Sequence, residues 1–148
     1  MITDETPLSA VAHTIQLAIA PVFLLTALGT FLGVLSNRLG RIVDRARVLE
    51  EQRIPMAPPA AQPRLHQELT LLGRRRHLVN LAITADVTAA LLVCAIISEL
   101  FIGQMMRANV SRAAAVLFVA AMLAFTAALL LFLREIVLAV ASIRIDGQ

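Results

Sequence analysis

Apolar residues gather into three long blocks along this chain, and polar residues fill the segments between them. From Pro7 to Asn37 no residue carries a formal charge, the titratable His13 aside. The centre of this block, Ile15–Leu35 (IQLAIAPVFLLTALGTFLGVL), is about 31 Å long as a helix, enough to cross a hydrocarbon core of roughly 30 Å. The start, MITDETP, is acidic, and the apolar run is too long for a signal-peptide core, so a retained first span is expected. Ala113–Leu133 has Thr126 as its only polar member and reads as another span. In the middle block only 12 uncharged residues lie between Asp86 and Glu99, about 18 Å of helix. Crossing therefore requires the helix to extend over 78–103, which takes Asp86 into the bilayer and puts Glu99 near one face. The expected fold is an all-α membrane protein with spans at about 13–36, 78–103 and 113–133.

The segment between the first two spans has its own helical pattern. In NRLGRIVDRARVLEEQRI, apolar residues fall at Leu39, Ile42, Val43, Ala46 and Leu49. PMAPPAAQP, with four prolines in nine residues, then breaks the helix, and Leu65, Leu69, Leu72 and Val79 resume the stripe. The pattern predicts that the first span runs on, turns at the prolines and returns antiparallel into the second span. Leu39, Ile42, Leu65, Leu69 and Leu72 should pack between the arms. Arg47–Glu51 and Arg64–Glu68 have i,i+4 spacing for ion pairs.

Composition changes the picture in two respects. At 59% hydrophobic and 16% charged, the chain is too apolar for a water-soluble core of this size. All 13 basic residues are arginine, and nine of them lie between Asn37 and His77. The positive-inside tendency then puts this hairpin, residues 37–77, in the cytoplasm. The N-terminus is expected outside, the 134–148 tail inside, and residues 104–112 on the outer side. One membrane domain over 1–148 is expected, in a bacterial inner membrane.

Several residues stand out as candidates. Gly29 and Gly33, with Thr26 and Thr30 beside them, form a small-residue face that suits close helix packing. Asp86 is the most informative, because a carboxylate at membrane depth costs at least ~2.5–3.5 kcal/mol unless paired, protonated or hydrated. It could meet an arginine from another helix or serve an ion path. Asn80, Thr84, Thr88, Ser98 and Glu99 share an arc of roughly 100°, with Asp86 opposite its centre. Such a stripe could line a path or join helices. Arg38, Arg41, Arg74, Arg75 and Arg76 lie where two helices leave the inner leaflet, in reach of anionic lipid headgroups.

Other chemistry is poorly served. The chain has no lysine, so Schiff-base and P-loop chemistry are excluded. The single Cys94 excludes an internal disulfide and reads as a small buried apolar residue. His66 and His77 have no partner at zinc spacing, and no catalytic triad or phosphate loop is present. The Arg-rich region holds no aromatic residue for base stacking, so nucleic acid is not an expected partner. No metal, cofactor or catalytic residue is expected.

The strings APVFLLTALGTFLGVLSNRLGRIVDRARVLE, LLGRRRHLV and LFLREIVLA resemble a bacterial family of small membrane proteins, domain of unknown function 2721. The shared pattern is an Asn-Arg pair at Asn37-Arg38, basic residues from Arg41 to Arg47, an arginine cluster before the second span, and an Arg-Glu pair after the third. The resemblance covers about residues 8–140 and implies a three-span inner-membrane protein, with no activity attached. A thin bundle with these features is expected to self-associate. Two roles follow: a channel-like homo-oligomer, or a scaffold or accessory subunit that docks on a larger membrane complex through the Arg-rich hairpin.

Overall fold

The computed structural model describes residues 7–106 and 111–145, with side chains from 15 to 106 and from 112 to 140. The acidic start, residues 107–110 of the loop expected on the outer side, and the end of the tail with the Arg144 side chain lie outside the described residues. Among those described, the chain is all helix and turn, without strands. Helix α1 is Pro7–Val48, α3 is Gln62–Met106 and α4 is Ser111–Ile145. Each contains a stretch long and apolar enough to cross a membrane. All three expected spans fall inside these helices.

The turn after α1 follows from its prolines. Pro55 has no N–H to offer the carbonyl four residues back, and its ring crowds that carbonyl. Just ahead of it the helix widens into one π-helical turn, Leu49–Arg53, before the short α2, Ile54–Met56. Ala57 then turns extended (φ −78°, ψ 141°), as a residue preceding a proline favours. The amide of Ala61 donates to the Pro58 carbonyl at 2.9 Å, and that of Leu65 to the Ala61 carbonyl at 3.3 Å, which starts α3.

Burial obeys one period in every long helix. On α1 the buried positions Pro21, Leu28, Leu35, Ile42 and Leu49 follow at steps of seven. On α3 Leu72, Val79, Asp86 and Val93 do the same, with Ala82, Ala89, Ile96 and Gly103 three residues on. On α4 the set is Ala121, Ala128 and Glu135. A step of seven is the spacing of knobs-into-holes helix packing. Small residues at many of these positions let helix backbones approach closely, as packing in lipid requires. Outside the seam, large apolar side chains such as Phe23, Leu91, Val116 and Leu123 are exposed. Between 11 and 28% of each helix's most apolar stretch is buried. An apolar exterior around so narrow a seam suits a lipid solvent.

The contacts form two compact units. One comprises residues up to Phe31 together with Asp86–Thr126. Its core is Leu28, Ala89, Val93 and Ala121, with Leu24, Leu25 and Phe125 packed against it. Phe31 meets Phe125 edge-on, centroids 5.8 Å apart. The other comprises Leu32–Ala85 and the chain from Ala127 on. It holds the helical hairpin. There Ile42 and Leu72 are buried, while Leu39, Leu65 and Leu69 are half-buried, in line with the expected stripe. Glu68 is taken across the hairpin by Arg45, at 2.7 and 2.9 Å, rather than by Arg64 on its own helix.

The seam makes a sharp prediction within the hairpin. Leu49 is fully buried and Val48 is 38% exposed, although they are neighbours. Leu49→Ala should cost about 2–5 kcal/mol in denaturant unfolding in mild detergent. Val48→Ala should stay within about 0.5 kcal/mol. Equal losses would show that the period of seven does not govern packing beyond the spans.

Candidate functional site

The most concentrated chemistry in the structure lies at a residue that the sequence pattern did not single out. Glu135 continues the α4 seam after Ala121 and Ala128, so its side chain is fully buried. An isolated buried carboxylate would be expensive, and two arginines answer it. Arg75 of α3 donates from Nε and Nη2 to Oε1, at 3.0 and 2.9 Å. Arg38 of α1 donates from Nη1 to Oε2. The Arg38 guanidinium also lies over the Phe132 ring, 5.2 Å from its centroid, a cation–π contact. One acid thus ties three helices within a single unit. Its arginines remain partly open, with side chains 35 and 24% exposed.

This knot unites fragments that are far apart in the chain. Arg38 belongs to the Asn37-Arg38 pair, Arg75 to the arginine cluster, and Glu135 to the Arg-Glu pair. The signal for Glu135 was present in the sequence, since it stands seven residues after Ala128 where the seam expects an apolar side chain. A period of 3.6 does not isolate that position; a period of seven does. Of the other arginines expected at the headgroups, Arg41, Arg74 and Arg76 are exposed.

The remaining candidates separate by face. Asp86 is 1% exposed, and its Oδ1 has no hydrogen-bond partner among the described residues. No arginine of another helix meets it among the described residues; Arg38 of α1 is on Glu135 instead. Opposite Asp86, the stripe of Asn80, Thr84, Thr88 and Ser98 is exposed, and Glu99 is half-buried with Oε2 unpartnered. The Thr84 hydroxyl donates to the Asn80 carbonyl (3.0 Å) and that of Ser98 to the Cys94 carbonyl (3.0 Å). Such bonds satisfy hydroxyls within their own helix and lower the cost of facing lipid. Cys94 itself is exposed, contrary to the expectation of burial, because it adjoins this stripe.

On α1, Gly29 and Gly33 face outward, and a Cβ added at either would meet nothing within 4 Å. The hydroxyls of Thr26 and Thr30 donate to the carbonyls of Val22 (3.2 Å) and Thr26 (2.9 Å). The glycine face is therefore not used for packing among the described residues. His66 Nδ1 lies 2.8 Å from the Gln62 carbonyl oxygen. Among the described residues no group of His, Cys, Asp and Glu comes together as a metal site.

The contrasting acids generate two predictions. Arg38→Gln or Arg75→Gln alone leaves Glu135 one guanidinium and should cost about 1.5 kcal/mol. The double variant strands the buried carboxylate and should exceed the sum of the singles by at least about 1 kcal/mol. Adding Glu135→Leu should recover most of that loss, whereas strict additivity would mean that the arginines are not what compensates the acid. Asp86→Leu, which removes an orphaned polar group from the seam, should raise stability by about 1 kcal/mol. Destabilisation would reveal a hydrogen-bond partner for Asp86.

No curated protein and no solved structure matches the chain significantly. A family model does, across residues 18–145, a range that includes all three members of the knot. The chain belongs to the family described as protein of unknown function (DUF2721).

Proposed function

We propose that this protein is a non-enzymatic, multi-pass protein of the bacterial inner membrane that works as a homo-oligomer of channel-like form. The observation that carries this reading is the open glycine face of α1. Gly29 and Gly33 stand on an exposed surface, with open space for at least 4 Å around the point where a side chain would begin. In lipid, helices associate where small residues let backbones approach, and this chain leaves the glycine face unfilled. The exposed stripe from Asn80 to Ser98 supports the same reading, because a neighbouring copy would take it away from lipid. In the oligomer the stripe lines the path. Asp86 is sealed in its own subunit's seam and is not part of it.

Neither buried acid is placed to supply a catalytic group. Glu135 is held by two arginines and Asp86 is enclosed, so neither opens on a substrate cavity. Orientation follows the arginine asymmetry, with the hairpin cytoplasmic. A second reading, docking on a larger complex, has its own support. The hairpin carries a groove of about 300 Å³ lined by the apolar Ile42, Val43, Leu69 and Leu72 and by the charged Arg47, Arg76, Glu50 and Glu51.

Oligomer mass in mild detergent and ion flux in liposomes test these readings. Gly29→Leu and Gly33→Leu should each reduce the oligomer and abolish flux with it. Unchanged mass in both variants would sink the glycine interface, and an assembled protein without flux would favour the docking role. Single-cysteine labelling in a Cys94→Ser background should reach the 104–112 loop from outside intact cells and not the Pro55–Pro63 turn.

A further inference from the structure

We propose that the Arg38–Glu135–Arg75 knot is a binding site for a phosphodiester, the headgroup phosphate of an anionic lipid in the inner leaflet. The charge comes first. Two guanidiniums share one carboxylate, so the cluster keeps one net positive charge after its internal pairing. Donors are also left over. Arg38 commits only Nη1 to Glu135, and Arg75 commits Nε and Nη2, leaving Nη1. Each arginine side chain is partly exposed, and a phosphate would reach these nitrogens from outside the seam.

Rigidity distinguishes the knot from the arginines beside it in the chain. The fully buried Glu135 holds both guanidiniums, and the Phe132 ring backs one of them, so little side-chain freedom remains to be lost on binding. Arg41, three residues after Arg38, and Arg74, next to Arg75, are exposed and have no such clamp among the described residues. A forked, planar donor pair matches phosphate oxygens better than a mobile point charge does.

Depth identifies the source of the phosphate. Arg38 lies two residues past the first span (13–36), Glu135 two past the third (113–133), and Arg75 three before the second (78–103). The ends of three expected spans thus place the knot at the level where a bilayer presents its phosphates. This step rests on the membrane orientation proposed above. Clusters of basic residues at that level attract anionic lipids in general, and the knot adds a fixed geometry to that attraction.

Native mass spectrometry of the full-length protein measures this site. The protein would be released from vesicles of phosphatidylcholine alone or of phosphatidylcholine with phosphatidylglycerol. One phosphatidylglycerol per chain should be retained selectively. Arg38→Gln and Arg75→Gln should weaken retention about tenfold, and Arg41→Gln and Arg74→Gln clearly less. Equal losses at all four positions would mean a diffuse basic belt and overturn the proposal. Arg38→Lys keeps the charge and guards against misfolding; it should still lose retention, and wild-type retention would refute the forked geometry. Displacement of the lipid by inorganic phosphate would assign the site to a free anion and overturn the lipid source. Insertion is scored separately by resistance to alkaline extraction. Loss of selectivity in a chain that still inserts counts against the site alone.

Discussion

A carboxylate buried among helices has to be met by cations, and in this protein that requirement sets the register of one whole unit. Glu135 has no exposed surface, so its neighbours must supply what water cannot. Arg38 on α1 and Arg75 on α3 do so from opposite arms of the hairpin, and each bonds a different oxygen. A slide of any of the three helices by one turn would move a guanidinium about 5.4 Å and leave the acid short of a partner. Apolar packing alone tolerates such slides far better, because one seam residue resembles the next. The charge cluster therefore specifies what the seam of Leu, Val and Ala leaves loosely defined.

The seam is the complementary constraint. In a bilayer the hydrophobic effect does not distinguish the inside of the protein from the outside, so helix faces must be chosen by close packing. The narrow rows on α3, Leu72–Val79–Asp86–Val93 and Ala82–Ala89–Ile96–Gly103, achieve this with many small side chains. Many large side chains, Phe23 and Leu123 among them, are left for lipid. That division explains how a chain with so much apolar surface buries so little of it.

The same seam carries a second acid with the opposite treatment. Asp86 sits on the row with Val79 and Val93, as Glu135 does on the row with Ala121 and Ala128, yet its Oδ1 has no donor among the described residues. One acid contributes register through its partners, while the other places a cost in the middle of a helix contact. Local consistency is broken at Asp86 without visible compensation, which is how functional positions commonly stand out.

Much of this was legible in the residues themselves. The lengths of the apolar blocks and the four prolines after Arg53 dictate three long helices and a hairpin, because span length and proline geometry are local properties. Helical periodicity also put Asp86 opposite the Asn80–Ser98 stripe, and the structure separates them in that sense. Local properties could not say which face turns inward, since the first and third spans are apolar or small nearly all round and the second carries polar residues on both faces. Tertiary contact decided that the Gly29–Gly33 face stays open, that Cys94 is exposed and that Asp86 is sealed without an arginine. It also decided that Arg38, Arg75 and Glu135 meet, although 97 residues separate the first from the last. Pairing of buried charges depends on which helices lie side by side and in what register, and that is a property of the packed chain rather than of any segment.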